Sequence, residues 1–459
     1  MAEFKKYNFK DINRAVYKTL PGLSSKIIKQ ISLHKQEPAW MLVKRLAAYK
    51  IFKKLPLPKW GPNLASLNFD QITYYWDPAN QQSSTWQEVP ENIKNTFTKL
   101  GIPQAERKFL AGVGAQYESE MIYHNLKEQW TKLGVVFCDM SEAPKLYPEL
   151  VKKYFGSLVP AADNKFAALN AACWSGGSFI YVPKGVKVEQ PLQAYFRLNA
   201  SQLGQFERTL IIVDEGASLH YIEGCTAPTY SKNSLHAAVV EVFALKNSKV
   251  RYTTIQNWSN NVLNLVTKRA AAEANAVVEW VDGNLGSKIT MKYPAVILRG
   301  AGAKAEILTI ALAGQGQQQD TGAKVIHLAP NTKSSIVAKS ISKSGGVATY
   351  RGLVKIGPRA YGSQSKVKCD ALILDEKSSS NTFPTINDAT NQAVVEHEAT
   401  VSKISAEQLA YLQSRGLTSA EAEKLIVSGF LQIFAKELPM EYALELNRLI
   451  ALEMTGAVG

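Results

Sequence analysis

Two short stretches carry the residues of this chain that are best suited to chemistry. Cys369 lies in "KVKCDALIL", and His397 and Glu398 follow 28 and 29 residues later in "VVEHEATVSK", directly after Glu396. A thiolate together with an imidazole or a carboxylate can bind iron or zinc. These stretches offer about two ligands, fewer than the three or four of a closed structural site. Unless the spacing is a coincidence, the pattern predicts a transient metal site or one that a second protein completes.

Cys225 is a second candidate, because it follows Gly224 in "YIEGCTAP" at the end of a strand-like run. We expect such a position to be exposed, and a thiolate there could accept sulfur. The alternative is a small apolar residue of the core. Cys138 and Cys173 have apolar neighbours and are interpreted as core. With no close-set pair among the four cysteines, neither a disulfide framework nor a C-x-x-C site is expected.

A repeat of about 28 residues positions these stretches. Small residues before strand-like runs recur at steps of 31, 28, 27, 29 and 28 residues. They are Ala217, Ser248, Ala276, Ala303, Thr332 and Ala360. A fixed period of this length is typical of a solenoid. Since each unit holds strand-length runs and no helix-length segment, the pattern favours a parallel β-helix. A β-sandwich would need tight hairpin signals, which are sparse.

The repeat predicts which residues meet. In a parallel β-helix, residues one turn apart lie about 4.8 Å from one another. Cys369 is therefore expected one turn from either His397 or Glu398, and strand alternation places Glu396 and Glu398 on the face opposite His397. Cys225 precedes Cys369 by 144 residues, or about five turns. The resulting separation of roughly 24 Å excludes a disulfide or a shared metal ion and indicates two separate stations.

Three regions are predicted along the chain. Residues 1–155 form a helical and mixed N-terminal region, 156–402 the parallel β-helix core, and 403–459 a helical C-terminal region. In the last region, Ser405 and Ser419 are predicted helix N-caps, Gly416 and Gly429 helix ends, and Pro439 a break. Part of this region should cover the solenoid, and the rest is a candidate docking surface for a partner.

The composition narrows the class of protein. The 459 residues include 46% hydrophobic and 20% charged residues, as in a soluble globular protein. No run is long enough to span a membrane and no secretory signal is recognisable, so we expect the cytoplasm or an organelle matrix. The net charge of +14 is scattered along the chain, which makes nucleic-acid binding a weak third alternative. No phosphate-binding loop is present, so nucleotide hydrolysis would belong to a partner.

A series of short motifs runs along the chain, and in order it includes "FIYVPKGV", "GQFERTLI", "YIEGCTAP", "LHAAVVEV", "QQDTGAKVIH", "CDALILD", "EHEATVSKI" and "ELPMEYALELNRL". This series resembles the SufB/SufD family of the SUF iron-sulfur cluster assembly system. The resemblance runs from about residue 100 to the C-terminus. It implies a right-handed parallel β-helix with N-terminal and C-terminal helical regions. Some members carry a cysteine cluster near "YYWDPANQQSSTWQEVP", which this chain lacks.

The resemblance also implies roles for particular residues. Cys225 would receive persulfide sulfur, and Cys369 with Glu398 would hold a nascent, transient iron-sulfur cluster, with Glu396 and His397 alongside. Five further positions would line the sulfur route between the two cysteines. They are Arg197, Asn199, Gln256, Trp258 and Lys268. A reduced flavin in the complex is a further cofactor that the resemblance allows.

The implied function is that of a scaffold and not of an enzyme. The C-terminal helices would dock the ABC-type ATPase SufC, the β-helix would pair with the paralogue SufD or with a second copy, and a desulfurase system would supply sulfur. No membrane or nucleic acid is expected. Cys225 and Cys369 together favour the SufB branch. Two alternatives stay open: a structural partner of the ATPase without a cluster, and a β-helix carbohydrate-active enzyme that uses Glu396 and Glu398.

Overall fold

The described residues form a parallel β-solenoid of about eight turns, and eight helices can be counted among them at its flanks. The structure is a computed structural model that describes residues 15–78, 88–89, 93, 110–199, 202–228, 233–438, 443, 446 and 449–450. This architecture confirms the predicted parallel β-helix with helical flanks. No helix in these ranges is long and apolar enough to cross a membrane.

The helices lie before, beside and after the solenoid. They are α1 (Ser25–His34), α2 (Ala39–Lys54), α3 (Glu128–Lys132), α4 (Ala143–Leu146), α5 (Pro148–Tyr154), α6 (Lys165–Cys173), α7 (Ala406–Ser414) and α8 (Ser419–Lys436), with a 3-10 turn at Phe69–Gln71. Helix α2 packs against α6, which connects the N-terminal region to the second sheet of the solenoid.

Two sheets build the solenoid, and a two-stranded ribbon of β1 (Tyr17–Lys18) and β2 (Trp76–Asp77) lies outside it. The first sheet contains β3 (Gly112–Tyr117), β4 (Glu120–Leu126), β7 (Leu192–Arg197), β10 (Ser218–Thr226), β13 (Lys249–Trp258), β15 (Val277–Gly286), β18 (Lys304–Ala313), β20 (Lys333–Ser342), β22 (Gln364–Ile373) and β24 (Val394–Lys403). The second sheet contains β5 (Val136–Asp139), β6 (Ser178–Val182), β8 (Gly204–Gln205), β9 (Arg208–Val213), β11 (Ser234–His236), β12 (Val239–Ala244), β14 (Val262–Ala272), β16 (Ile289–Lys292), β17 (Ala295–Leu298), β19 (Gln318–His327), β21 (Val347–Ile356) and β23 (Ser379–Asp388).

The register of the first sheet tests the repeat. Its strands align at Ser218, Lys249, Val277, Lys304, Lys333, Gln364 and Val394. The first four predicted steps are confirmed, but the next step is 31 residues and not 28. The turn before β22 runs on to Ser363 and includes Gly362 with φ 67°. Ala360 was therefore three residues from the aligned position, and the following step is 30 residues.

The core follows from alternation of side chains along each strand. In the first sheet, Tyr221, Tyr252 and Trp280 stack in a column inside the solenoid, with ring centroids 5.0 and 4.9 Å apart. Towards the C-terminal end the column continues through Ile307, Ile336 and Val367. Stacking of like-sized apolar side chains buries the inner face of each turn, which no turn could bury alone.

Helix α8 covers part of the outer face of the first sheet, whereas α7 buries none of its residues. Ser405 caps α7 as predicted, whereas α8 is capped by Thr418, one residue before Ser419. Gly416 follows α7 with φ 92°, but Gly429 does not end α8. The helix continues because Leu431, Phe434 and their neighbours pack on Ile255, Val281 and Ile310 of the sheet. Pro439 lies outside the described residues.

The last turn of the solenoid is open. Strands β23 and β24 are the final strands of their sheets along the described chain, and most of their side chains are exposed. Phe383 is 50% exposed and Val401 57%. An apolar strand edge of this kind is a surface that folded proteins usually cover.

Two glycines provide a test of the turn geometry. Gly286 and Gly316 have φ values of 69° and 72°, so alanine is strained at both. A Cβ at Gly286 would lie 1.7 Å from the Trp258 carbonyl oxygen, whereas none of the described atoms lies within 4 Å of one at Gly316. We expect Gly316→Ala to lower the free energy of unfolding by ~1 kcal/mol and Gly286→Ala by about 3 kcal/mol or more, as measured by urea unfolding. Equal losses of stability in the two variants would contradict the close approach of Gly286 to the Trp258 carbonyl.

Candidate functional site

Cys225 lies inside the solenoid and not at its surface. It is 1% exposed on β10, with Phe196 of β7 on one side and Gln256 of β13 on the other. The expectation of an exposed thiol was therefore wrong, because the strand continues to Thr226 and directs Cys225 inward. Its Sγ lies 3.7 Å from Oε1 of Glu223, which is also buried.

The environment of Cys225 favours the protonated thiol. Burial raises its pKa well above the usual value, and the carboxylates of Glu223 and Glu207 raise it further. The ammonium groups of Lys268 and Lys292 oppose this rise only in part. Since the thiolate is the nucleophile, reaction at Cys225 requires a group that takes its proton, and Glu223 is the carboxylate within reach.

Lys268 neutralises Glu223 from the second sheet. Its Nζ lies 3.5 Å from Glu223 Oε1 and donates a hydrogen bond to Thr254 Oγ1 at 2.5 Å. The same ammonium lies 4.5 Å from the ring centre of Tyr252, whose hydroxyl donates to Glu223 Oε2. The Glu223 carboxylate is thus held in place by three neighbours, Cys225 included.

A second buried ion pair joins this cluster. Lys292 Nζ lies 3.0 Å from Asp282 Oδ2, and Lys268 Nζ lies 3.7 Å from Asp282 Oδ1. Burial alone would raise the pKa of Asp282, but the charges of Lys292 and Lys268 outweigh it and lower that pKa. The pKa of Lys292 is lowered to about 8, chiefly by burial. The carboxylate of Asp282 raises this pKa, and the charge of Lys268 lowers it further.

A chain of hydrogen bonds continues from Lys292 across the interior. Lys292 Nζ and Asn264 Nδ2 both donate to Gln256 Oε1, at 2.9 and 2.8 Å. Because the Asn264 amide donates there, its Oδ1 accepts from His236 Nδ1 at 2.7 Å. His236 Nε2 faces Glu207 Oε1 at 2.5 Å. Trp258 packs on His236, with ring centroids 4.6 Å apart.

These contacts form one connected group that we call the interior polar network. Its members are Glu207, His236, Asn264, Gln256, Lys292, Asp282, Lys268 and Glu223. Only Gln256 and Lys268 were among the sequence-predicted site residues. The sequence does carry a signal for two more: Glu223 and Asp282 are acidic residues at inward positions of strands, in "YIEGC" and "VEWVDGN", two turns apart.

Arg197 and Asn199 lie at the same end of the solenoid as Cys225. Arg197 is on the turn before Cys225, and its Nη1 donates to Thr226 Oγ1 at 3.2 Å. The backbone N–H of Asn199 donates to Glu118 Oε2 at 3.1 Å. Like Gln256, Trp258 and Lys268, they lie in the turns next to Cys225, several turns away from Cys369.

Five turns separate the two cysteines, as the repeat predicted. From Cys225 the register passes to Gln256, Asn284, Ala311, Ser340 and Ala371, two residues beyond Cys369. The separation along the axis is roughly 24 Å. Cys369 lies in the same column as Glu223. This column runs through Thr254, Asp282, Thr309 and Ala338, so only small side chains stand between Asp282 and Cys369.

Cys369 pairs with Ala399 one turn on, and not with His397 or Glu398. The expectation of a direct pair was wrong because this step of the repeat is 30 residues. His397 pairs with Val367, which places it on the inner side with Cys369 but two residues away. The predicted alternation is correct: His397 is half-buried, while Glu396 and Glu398 point outward.

The surroundings of Cys369 provide too few side chains to complete a metal site among the described residues. Burial raises its pKa to about 12; the neighbouring Tyr350 hydroxyl opposes this and Asp370 adds to it. Nε2 of His397 is buried and makes no hydrogen bond with the described part of the chain. Glu396 and Glu398 form exposed ion pairs with Lys366 and Lys368, at 3.2 and 3.5 Å. Across the described residues, no group of three metal-ligating side chains is assembled.

Comparison with known proteins identifies the family. Residues 196–430 match a model described as SUF system FeS cluster assembly, SufBD core domain, and residues 29–194 match the SufBD protein N-terminal region. The chain is 59% identical over 455 residues to the iron-sulfur cluster assembly protein SufB of Bacillus subtilis (strain 168), covering 99% of this chain and 98% of that protein. A SufBD family protein of Staphylococcus aureus (strain MRSA252) is 59% identical over 454 residues, with the same coverage. The chain therefore belongs to the SufBD family and has a role in SUF iron-sulfur cluster assembly.

Proposed function

We propose that this chain is the scaffold on which the SUF system builds a nascent iron-sulfur cluster, with sulfur received at Cys225 and the cluster held at Cys369. The observation that carries the proposal is the arrangement of the interior. Cys225 and Cys369 are buried on one sheet five turns apart, and the Cys225 thiol contacts the buried carboxylate of Glu223, a member of the interior polar network.

Sulfur transfer to Cys225 needs no oxidant. The Glu223 carboxylate takes the thiol proton, and the Cys225 thiolate attacks the outer sulfur of a donor persulfide. The sulfur–sulfur bond of the donor breaks, and the donor leaves as a thiolate while Cys225 becomes the persulfide. The proton on Glu223 then returns to the leaving thiolate. Because Cys225 is buried, this step requires the site to open to the donor, and an ATPase partner would supply the work.

Glu223, whose first proton has left with the donor thiol, would then take the proton of the Cys225 persulfide, and the network would stabilise the resulting anion. A persulfide is more acidic than a thiol, and its negative charge inside the solenoid needs nearby cations. Lys268 and Lys292 are the buried ammonium groups of this region, each already close to Asp282. A two-electron reductant, such as a reduced flavin in the complex, would break the persulfide bond, return the Cys225 thiolate and release the outer sulfur as sulfide. The sulfide would then pass along the small residues Thr309 and Ala338 towards Cys369.

Iron and sulfur would meet at the open end of the solenoid. There the Cys369 thiolate would supply a soft ligand, and on the same side His397 offers a buried Nε2 that has no hydrogen-bond partner among the described residues. Glu398, which the family resemblance favours, points outward and would reach the cluster only after β24 changes its local conformation. Ligands from a second protein would complete the site. A cluster held between two proteins could be released readily when they separate.

Two surfaces fit the proposed partners. The exposed edge strands β23 and β24 would pair with a SufD-type paralogue or with a second copy. On the C-terminal helices, Tyr411, Leu425 and Ile433 are exposed apolar residues outside the contact with the sheet, where a SufC-type ATPase would dock. The carbohydrate-enzyme alternative has no support in this geometry, because Glu396 and Glu398 are exposed and paired with lysines.

Replacing Glu223 tests the proton acceptor. We expect Glu223→Gln to lower the rate of persulfide formation on Cys225 at least tenfold, since the amide cannot take the thiol proton. The measurement is mass spectrometry of the complex after incubation with a desulfurase and cysteine. Glu306→Gln, on the outer side of β18, is the matched control and should react like the wild type. An unchanged rate in correctly folded Glu223→Gln would exclude this role.

The cluster site is tested by anaerobic reconstitution with iron and sulfide. We expect Cys369→Ala to lose the visible absorption and the bound iron and sulfide, His397→Ala to retain less than half, and Cys138→Ser to match the wild type. The co-expressed complex is used, because the described part of the single chain assembles no group of three metal-ligating side chains. If Glu398→Gln loses the cluster while His397→Ala keeps it, the inward-facing ligand set proposed here is wrong.

The charge on Lys292 is tested by pH. Its pKa is lowered to about 8 in the folded state and returns to its ordinary value on unfolding. Between pH 8 and about 10 the unfolded chain binds more protons, so this group makes stability rise with pH. The stability advantage of the wild type over Lys292→Met should therefore widen on raising the pH from 8 to 10, by of order 1 kcal/mol per unit. Lys355→Met, an exposed lysine of β21, should show no widening.

A further inference from the structure

A cavity of about 450 Å³ lies on the outside of the solenoid, away from both cysteines. Residues 55–60, which follow α2, form one wall, and the start of α6 forms another. The third wall is the outer face of the second sheet, at β14 and β19. The β14 side chains Leu265 and Arg269 that face the cavity are on the opposite side of that strand from Lys268. The cavity is therefore independent of the interior polar network.

Aromatic rings provide the apolar part of this cavity. Trp60 and Tyr293 lie with ring centroids 5.6 Å apart at an interplanar angle of 53°, and Phe166 lines the opposite wall. Tyr293 is fixed, because its hydroxyl donates to Asp320 Oδ1 at 2.8 Å. Trp60 is 48% exposed despite its size. An exposed indole beside a fixed ring is a surface on which a planar group can stack.

The charged lining is almost entirely positive. Lys59, Lys165, Arg269 and Lys324 line the cavity, against one acid, Asp163. Arg269 Nη1 donates a hydrogen bond to Asp163 Oδ1 at 2.7 Å, so this acid is already paired. The Lys165 ammonium donates to the carbonyl oxygens of Phe52 and Leu55 at 2.9 and 2.7 Å, which fixes the wall.

Lys324 forms no ion pair within 4 Å among the described residues, and it is the lining lysine that stands over the Tyr293 ring. Its Nζ lies 5.1 Å from the centre of the Tyr293 ring. Burial lowers its pKa, the charge of Arg269 lowers it further, and Asp163 only partly opposes them. An anion entering the cavity would therefore gain from Lys324 and Arg269 together, in a setting where water screens their charges less than at the surface.

We propose that this cavity binds a small aromatic anion of nucleotide size, with its ring against Trp60 and its anionic group at Lys324 and Arg269. The cavity volume is in the range of small-ligand sites, and its apolar walls with a few convergent charges have the usual composition of such sites. The proposal does not depend on sulfur transfer or on the cluster.

The test uses calorimetric titration of the full chain with three probes at low salt. Adenosine 5′-monophosphate carries both ring and charge, adenosine only the ring, and inorganic phosphate only the charge. We expect the monophosphate to bind at least tenfold more tightly than either of the others. Lys324→Gln should weaken monophosphate binding at least tenfold and leave adenosine unchanged, whereas Trp60→Ala should weaken both.

Lys355→Gln is the matched control, because it removes an exposed lysine of the same sheet outside the cavity. It should bind the monophosphate like the wild type. The proposal is overturned if the monophosphate binds no more tightly than phosphate, or if Lys324→Gln and Trp60→Ala both bind it like the wild type. The unfolding midpoint of each variant shows that the fold is retained.

Discussion

Parallel pairing in the first sheet places each residue beside the residue one turn away, at about 4.8 Å. The column from Glu223 to Cys369 exists only because this register is kept over five turns. A shift by one residue in any turn would move Cys369 to the outer face. The stacked apolar column of Tyr221, Tyr252 and Trp280 holds the register, since its large side chains fit only side by side.

The interior polar network destabilises the fold to the extent that its charged groups lose their hydration, and other interactions must offset this loss. Glu223 and Asp282 are buried carboxylates, and they are tolerated because Lys268 lies close to both and Lys292 pairs with Asp282. Apolar residues of similar size would stabilise the core at least as well. Charged groups retained in such a place, next to a cysteine whose pKa is raised, are typical of a site where protons or anions are handled.

The fold could be predicted from the sequence because the repeat period is visible in the turn residues. A fixed period together with strand-length apolar runs is enough to predict a β-solenoid. The pairing of Cys369 could not, because the turns around Ala360 and before Val394 are two to three residues longer than the average period. The network was missed for another reason: Lys292 reaches Gln256 across the interior from the opposite sheet, and no spacing along the chain encodes that contact.

The last strand explains why His397 and Glu398 compete for one role. In a regular strand, neighbours face opposite sides, so Cys369 shares the interior with His397 alone. Strand β24 is the edge of its sheet in the described chain, and one of its two rows of backbone groups has no further strand to hold it. A bulge of one residue there would turn Glu398 inward. On the proposed function, a partner that pairs with this edge would fix one of the two states, and the choice of iron ligand would then be coupled to assembly of the complex.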